Sequence, residues 1–210
     1  MGKNRLSLWY FAPRDGDDLL ALLNASEHAT LSAHPELRLQ QLSAWAMRRQ
    51  VLRAQTGTEP QIERHHSGRP YLASGPSFST AHTPGLVVLA VAPTGALGVD
   101  VERLDRSLPS RALAQRFLPP EEQAWLDEQN DHRRAFIELW VLKEAMVKAQ
   151  GLGLAGQLKR FTVRDGVLLN CPTSWGTANS WMLESQPLAN HRLGLASSQP
   201  MPVTIRRWAP

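Results

Sequence analysis

The chain has 210 residues, of which 42% are hydrophobic and 20% are charged, and its formal net charge is +4. These proportions do not suggest disorder and suffice for one globular domain or two small lobes. The single cysteine, Cys171, excludes an internal disulfide and a multi-cysteine metal site, and it predicts a reducing compartment, the cytoplasm.

The first half of the chain predicts a strand, a short helix, a long helix and a β-hairpin. The apolar run at residues 6–12 predicts the first strand, and a short helix and a loop follow it. Residues 36–56 predict a long helix, because apolar residues recur at helical spacing and Gly57 lies just beyond its end. After a polar loop, the apolar runs 86–92 and 97–101 flank a turn and predict a hairpin.

The second half predicts helices first and short strands later. A helix is expected near residues 111–127, a long helix near 132–150, and strand-like pieces after residue 158. No stretch approaches the roughly 20 consecutive apolar residues of a membrane span, so no membrane partner is predicted.

Two carboxylates, Asp100 and Glu102, lie two residues apart in the second strand of the predicted hairpin. Alternate residues of a strand share a face, so both carboxylates point to one side and the neighbouring valines to the other. Two such groups repel each other unless a proton or a cation lies between them, and a hard divalent ion such as Mg²⁺ would relieve this. The alternative is a solvent-facing strand on which Arg103 and Arg106 are salt-bridge partners.

The predicted helix at residues 132–150 carries a second set of polar residues. Trp140, Glu144 and Lys148 lie at i, i+4 and i+8 and form one stripe, whereas Lys143 is displaced by roughly 100° and is interpreted as a surface lysine. Trp140 is interpreted as a packing residue. Large apolar residues occupy most of the other positions, so the helix is predicted to be buried. Glu144 and Lys148 are then predicted to need a partner. A simple surface pair on the helix is the alternative.

The motifs G-x-D-x-E at residues 98–102 and W-x-x-K-E-A-x-x-K at residues 140–148 resemble those of the 4'-phosphopantetheinyl transferase superfamily. The chain is most similar to the larger, two-lobed type, of which surfactin synthetase activators are examples. The resemblance implies an α+β fold of two similar lobes related by a pseudo-twofold, each a small, mostly antiparallel sheet packed on a long helix. It predicts an N-terminal lobe at 1–95, a C-terminal lobe with the metal-binding motifs at 96–210, and an active site in the cleft between them.

The resemblance also implies an activity, which is transfer of the 4'-phosphopantetheine arm of coenzyme A to a serine of an acyl or peptidyl carrier protein. The other product would be 3',5'-ADP. Asp100, Glu102 and Glu144 resemble the family's ligands for Mg²⁺, with Mn²⁺ as the alternative ion. Glu144 and Lys148 would be the catalytic residues, and Lys148 would also contact the pyrophosphate of coenzyme A.

Other matched positions imply contacts to the nucleotide part of coenzyme A. His82 resembles the histidine on the 3'-phosphate, Arg69 takes the place of a basic residue that faces the nucleotide, and Arg48 falls near a family arginine in the first long helix. The family usually has Ser before this histidine, whereas Ala81 stands here, so weaker cofactor binding is expected, with Thr83 as a neighbouring hydroxyl that could compensate. The alternatives are a turn histidine at His82 and a solvated helix face at Arg48.

The expected partners are coenzyme A and an acidic carrier protein, with no nucleic acid, and the length of the chain favours a monomer. Arg103, Arg106, Arg111 and Arg116 follow the first motif and are predicted to steer the acidic carrier. A magnesium-dependent nuclease and a non-catalytic nucleotide-binding protein of the same fold are the alternative functions.

Overall fold

A computed structural model of the chain describes residues 5–153 and 156–210 and shows an α+β protein. Its helices are α1 (Asp17–Leu20), α2 (Ala25–Thr30), α3 (Pro35–Thr56), α4 (Ser110–Phe117), α5 (Pro120–Asp127) and α6 (His132–Ala149). Its strands are β1 (Leu6–Phe11), β2 (Ile62–Arg64), β3 (Pro70–Leu72), β4 (Ser77–Thr83), β5 (Leu86–Ala92), β6 (Leu97–Arg103), β7 (Thr162–Arg164), β8 (Val167–Asn170), β9 (Met182–Leu188), β10 (His191–Ser197) and β11 (Val203–Arg207). None of the described helices is both long enough and apolar enough to cross a membrane.

The described residues form two compact units. Unit 1 comprises residues 5–94 together with Met201–Pro210, and unit 2 lies within Gly95–Pro200. The last ten residues belong to unit 1, because β11 pairs in parallel with β1.

Unit 1 is built on a sheet with the strand order β11-β1-β5-β4, in which all pairs except β1–β11 are antiparallel. All seven residues of β5, a central strand of this sheet, are buried, so both of its faces are covered. Leu8 of β1 and Leu89 of β5 are fully buried in the same core as Leu42 and Met47 of α3. The predicted first strand is therefore confirmed as β1.

Helix α3 begins and ends at residues that suit helix termini. Pro35 is at the first position of the helix, where its missing N–H would have had no helical partner. At the other end, Gly57 has a left-handed φ of 75°, and its N–H donates to the Arg53 carbonyl at 2.9 Å. The predicted helix and its glycine terminus are confirmed.

Unit 2 packs α6 against the antiparallel sheet β6-β10-β9 at two glycines. A Cβ added to Gly98 of β6 would overlap the carbonyl oxygen of Ala145 and lie 2.6 Å from the amide nitrogen of Ala149. A Cβ added to Gly194 of β10 would lie 2.8 Å from the amide nitrogen of Leu142. The helix backbone therefore rests directly on both strands, which explains the glycine of the G-x-D-x-E motif.

We expect Gly98→Ala to destabilise the protein by about 1–3 kcal/mol, because the new methyl group would push α6 away from β6. The loss should appear as a lower midpoint of urea unfolding. The matched control is Gly153→Ala, since an added Cβ at Gly153 meets nothing within 4 Å. Equal stability of the Gly98 variant and the control would contradict the close packing described here.

The small, mostly antiparallel sheets with a long helix in each unit confirm the predicted α+β class, while the pseudo-twofold stays a prediction. Two predictions of local structure are wrong. The predicted hairpin does not form, because β5 pairs with β1 and β4 whereas β6 pairs with β10. The predicted helix at 111–127 is two helices, α4 and α5, because Pro119 and Pro120 interrupt it and Pro120 starts the second.

Candidate active site

Strand β6 places the carboxylates of Asp100 and Glu102 on the same side, as predicted from their spacing. Asp100 is opposite Gly194 in β10, and Glu102 is opposite Arg192. The two acidic residues are only 7% and 8% exposed, respectively. The alternative of a solvent-facing strand is therefore wrong.

Helix α6 brings the second motif against the first. The Nζ atom of Lys148 donates a hydrogen bond to Oδ1 of Asp100 at 2.6 Å, although the residues are 48 positions apart. Burial raises the pKa of Asp100, and the charge of Lys148 partly opposes this shift. The Asp100–Lys148 ion pair therefore joins the two motifs and compensates in part for the buried carboxylate.

Glu144 lies on the same helix, one turn before Lys148. Burial is the largest cause that raises the pKa of Glu144 to about 7, and the negative charge of Asp100 is the next largest. The Trp140 side chain opposes the shift through a hydrogen bond to Glu144. Trp140 also stacks on Phe136, with ring centroids 5.4 Å apart, which agrees with its predicted packing role. Trp140 thus packs against Phe136 and has a small opposing effect on the pKa of Glu144.

The third candidate metal ligand, Glu102, is held by two arginines. Its Oε1 accepts a hydrogen bond from the Arg103 backbone N–H at 2.8 Å, and its Oε2 forms an ion pair with Arg106. The side chain of Arg103 pairs instead with Asp105 at 2.8 Å. The predicted salt bridge from Arg106 to Glu102 is present, even though the carboxylate is buried rather than solvent-facing.

The three acidic side chains have the donor chemistry of a site for Mg²⁺, which prefers carboxylate oxygens. The raised pKa of Glu144 has the charge of Asp100 as one cause, so these two carboxylates interact, and a cation between them would relieve their repulsion. Within residues 5–153 and 156–210, however, no three acidic, histidine or cysteine side chains are grouped closely enough to hold a metal ion. Lys148 and Arg106 provide the positive charge next to Asp100 and Glu102.

The interpretation of Lys143 as a surface lysine is wrong. Its side chain is fully buried, and its Nζ donates to both carboxylate oxygens of Glu122, at 2.6 and 2.7 Å, and to the Phe161 carbonyl at 2.7 Å. Oε1 of Glu122 also accepts from the Val163 backbone N–H at 2.7 Å. Burial lowers the pKa of Lys143 to about 8, although Glu122 acts in the opposite direction. This cluster joins α5, α6 and β7 in the interior of unit 2.

In unit 1, His82 is an exposed residue near the end of β4, and its neighbour Thr83 is buried. Nδ1 of His82 lies 2.8 Å from Oε1 of Gln40, which α3 supplies. Ala81 is buried, so the position where the family usually has Ser contributes to packing here. His82 therefore belongs to a strand, which makes the alternative of a turn histidine wrong.

Arg48 and Arg69 have different surroundings in unit 1. Arg48 is 3% exposed and donates to Oε1 of Glu27 at 2.8 Å, so the alternative of a solvated helix face is wrong. Burial lowers the pKa of Arg48 to about 10. Arg69 lies immediately before β3, where its carbonyl accepts from the His65 N–H at 2.9 Å, and partial burial lowers the pKa of its side chain.

Three polar residues of these networks were not identified from the sequence, namely Gln40, Glu27 and Glu122. A signal exists for Gln40, because it lies at helical spacing from the buried residues Ala44 and Met47 and so interrupts an apolar stripe. Glu27 lies three residues after Asn24, the spacing of a capping box, and the structure shows both reciprocal hydrogen bonds. Nothing in the sequence distinguishes the buried Glu122 from its exposed neighbour Glu121.

Comparisons with known proteins match the part of the chain that carries both motifs. The family model of the 4'-phosphopantetheinyl transferase superfamily matches residues 96–196, which contain both motifs. The 4'-phosphopantetheinyl transferase HetI of Nostoc sp. is 31% identical over 180 residues, which cover 79% of this chain and 74% of that protein.

Two further relatives match over shorter segments. A 4'-phosphopantetheinyl transferase of Bacillus subtilis is 33% identical over 46% of this chain and 44% of its own length. The L-aminoadipate-semialdehyde dehydrogenase-phosphopantetheinyl transferase of Xenopus laevis is 32% identical over 47% of this chain and 38% of its own length. The match thus spans half or less of these two relatives but nearly three quarters of HetI. The chain belongs to the 4'-phosphopantetheinyl transferase superfamily.

Proposed function

We propose that the protein transfers the 4'-phosphopantetheine arm of coenzyme A to a serine hydroxyl of an acyl or peptidyl carrier protein and releases 3',5'-ADP. The observation that carries the proposal is the contact between Lys148 and Asp100, which joins the two family motifs beside Glu144. The relatives named as 4'-phosphopantetheinyl transferases support the same activity.

In the proposed reaction, the serine oxygen forms a bond to the phosphorus that carries the pantetheine arm. The bond from that phosphorus to the bridging oxygen of 3',5'-ADP breaks, and the leaving nucleotide takes the electron pair. Glu144 would accept the serine proton as the general base. Lys148 would stabilise the negative charge on the departing phosphate.

Asp100, Glu102 and Glu144 would hold Mg²⁺, or alternatively Mn²⁺. When bound, the ion would neutralise charge on the pyrophosphate oxygens. Binding of the ion requires a rearrangement of the existing pairs, because Lys148 and Arg106 now pair with Asp100 and Glu102. Once released from Asp100, Lys148 would be available to the pyrophosphate.

The nucleotide part of coenzyme A would be recognised by residues of unit 1. His82 would contact the 3'-phosphate, supported by its exposure at the end of β4, and Arg69 would face the nucleotide. The Thr83 hydroxyl would contact coenzyme A in place of the serine that the family usually has at the position of Ala81. The contact between Arg48 and the nucleotide stays a prediction, since the guanidinium of Arg48 already pairs with the buried Glu27.

An acidic carrier protein would approach the basic residues that follow the first motif. Among them, Arg103 and Arg106 pair with Asp105 and Glu102, and Arg111 pairs with the exposed Asp127. Arg116 lies over the Phe117 ring, with its guanidinium carbon 5.1 Å from the ring centroid. Arg111 and Arg116 are therefore better test positions than Arg106, whose change would also disturb Glu102.

We expect the double variant Arg111→Glu and Arg116→Glu to raise KM for the carrier severalfold with little change in kcat, because charge reversal weakens electrostatic attraction. The increase should shrink at high ionic strength. Steady-state kinetics with an acidic carrier at two salt concentrations measures both effects. Arg206→Glu, an exposed change on β11 in unit 1, is the single-charge control. An unchanged KM in the double variant would contradict steering at this surface.

Mass spectrometry of an unmodified carrier after incubation with the protein, coenzyme A and Mg²⁺ tests the proposed activity directly. A mass increase by one phosphopantetheine arm, absent when the carrier serine is replaced by alanine, is the expected result. Cleavage of DNA or RNA in Mg²⁺ without carrier modification would favour the nuclease alternative instead. The single Cys171 supports a reducing, cytoplasmic setting for the reaction, and we propose a monomer as the active form.

A further inference from the structure

Gln40 is a buried polar residue that contacts His82. The proposed reaction assigns no role to this contact. The Gln40 side chain is 7% exposed and belongs to the buried stripe of α3 with Ala44, Met47 and Val51. Burying an amide in such a stripe costs free energy unless its polar atoms are hydrogen-bonded. Its Oε1 lies 2.8 Å from Nδ1 of His82, across 42 positions of the chain. The long helix of unit 1 therefore directs a polar group at the one histidine that the family motif singles out.

The chemistry of this contact determines the proton arrangement on the histidine ring. An amide oxygen only accepts hydrogen bonds, so its partner Nδ1 must carry a hydrogen. In the neutral ring Nε2 is then the nitrogen without a hydrogen, and a second proton enters there. The resulting imidazolium presents an Nε2–H donor, while Nδ1–H remains bound to Gln40. A phosphate oxygen is a strong acceptor for such a charged donor.

We propose that Gln40 is a positioning residue that fixes the ring orientation and the Nδ1–H tautomer of His82, so that Nε2 faces the 3'-phosphate of coenzyme A. The proposal rests on the proposed function, in which His82 contacts that phosphate. Gln40 itself does not touch the substrate in this assignment. Its effect is to let the protein distinguish nucleotides with a 3'-phosphate from those without one.

The first test reads the tautomer of His82 in the wild-type protein. In ¹⁵N NMR spectra of the wild-type protein, the two ring nitrogens of His82 have different chemical shifts in the two neutral tautomers, and His82→Ala assigns the signals. At a pH where the ring is neutral, we expect the Nδ1–H form to dominate. A dominant Nε2–H form would mean that Gln40 donates its amide hydrogen to Nδ1, and it would overturn the proposal.

The second test compares binding of 3',5'-ADP and 5'-AMP by titration calorimetry. The wild-type protein should prefer 3',5'-ADP, and Gln40→Leu should reduce that preference about tenfold while leaving the affinity for 5'-AMP unchanged. A tenfold change corresponds to about 1.4 kcal/mol. Gln41→Leu is the matched control, since the neighbouring Gln41 accepts a hydrogen bond from the Ser32 N–H at 2.8 Å and not from His82. Thermal unfolding of both variants checks that they are folded.

The outcomes separate this inference from the proposed function. If the wild-type protein prefers 3',5'-ADP and Gln40→Leu keeps the full preference, His82 does not need Gln40 and the inference fails alone. If the wild-type protein binds both nucleotides equally, the contact between His82 and a 3'-phosphate fails, and the inference fails with it. Equal loss of affinity for both nucleotides in Gln40→Leu would indicate a structural role only and would also overturn the proposal.

Discussion

Glu144→Gln is expected to abolish phosphopantetheine transfer, with a loss of at least about 10²- to 10⁴-fold, the usual contribution of a general base. Glutamine keeps the size of the side chain but neither accepts the serine proton nor supplies a charged metal ligand. The rate of carrier modification, followed by mass spectrometry, measures the loss. Lys148→Ala should lower transfer less severely, because it removes charge stabilisation and leaves the proton acceptor in place.

The same Glu144 variant should be more stable than the wild-type protein in the absence of divalent cations above pH 7. The pKa of Glu144 in the folded protein, about 7, lies above its ordinary value. The folded state therefore binds a proton more tightly than the unfolded state, and the stability contributed by protonated Glu144 is lost as the pH rises through about 7. A glutamine at this position does not ionise, so the variant does not lose this stability at high pH. The melting temperature of Glu144→Gln should therefore exceed that of the wild-type protein by more at pH 8 than at pH 5.

Glu128→Gln, at an exposed position after α5, is the control for both measurements and should change neither. Full transfer activity in Glu144→Gln would reject the assignment of Glu144 as base and ligand. A melting temperature whose difference from the wild-type value does not depend on pH would show that Glu144 is already ionised in the folded protein. The two readouts are independent, since the second needs neither coenzyme A nor a carrier.

Lys143→Met is expected to destabilise the protein by about 3–5 kcal/mol, the usual cost of breaking a buried ion pair. Methionine would leave the Glu122 carboxylate, which is 1% exposed, without its charged partner. Urea unfolding followed by tryptophan fluorescence measures the loss, and Trp175, which packs against Phe161, lies close to the change.

The double variant Lys143→Met and Glu122→Leu should recover most of that stability, because no unpaired charge remains buried. Lys159→Met is the matched control at an exposed lysine and should change stability little. If the double variant is as unstable as Lys143→Met alone, the destabilisation comes from lost packing or from the lost bond to the Phe161 carbonyl. A stable single variant would contradict the buried pair itself.

The features that sequence reasoning predicted correctly depend on local periodicity. The i, i+2 spacing of Asp100 and Glu102 and the i, i+4 spacing of Glu144 and Lys148 define faces of a strand and a helix without any knowledge of tertiary contacts. Similarly, Gly57 marked the end of α3 because its left-handed conformation is favourable for glycine. Periodicity therefore predicted which functional side chains share a face.

The failures concern partners that are distant in sequence. The interpretation of Lys143 failed because its partner Glu122 lies 21 residues earlier and only folding brings them together. The predicted hairpin failed for the same reason, since β6 finds its partner in β10, some ninety residues later. The break at Pro119 and Pro120, in contrast, was readable from the sequence, because proline disfavours a helical residue before it and cannot donate a helical hydrogen bond.

The two glycines under α6 have a consequence for engineering this protein. Because main chain meets main chain at Gly98 and Gly194, no side chain lies between helix and sheet at those points to be trimmed or enlarged. The spacing between β6, which carries Asp100 and Glu102, and α6, which carries Glu144, is therefore set by backbone geometry alone. Directed evolution toward new acceptor proteins or acyl-loaded thioesters should accordingly leave these two positions invariant and concentrate diversity in segments that do not support α6.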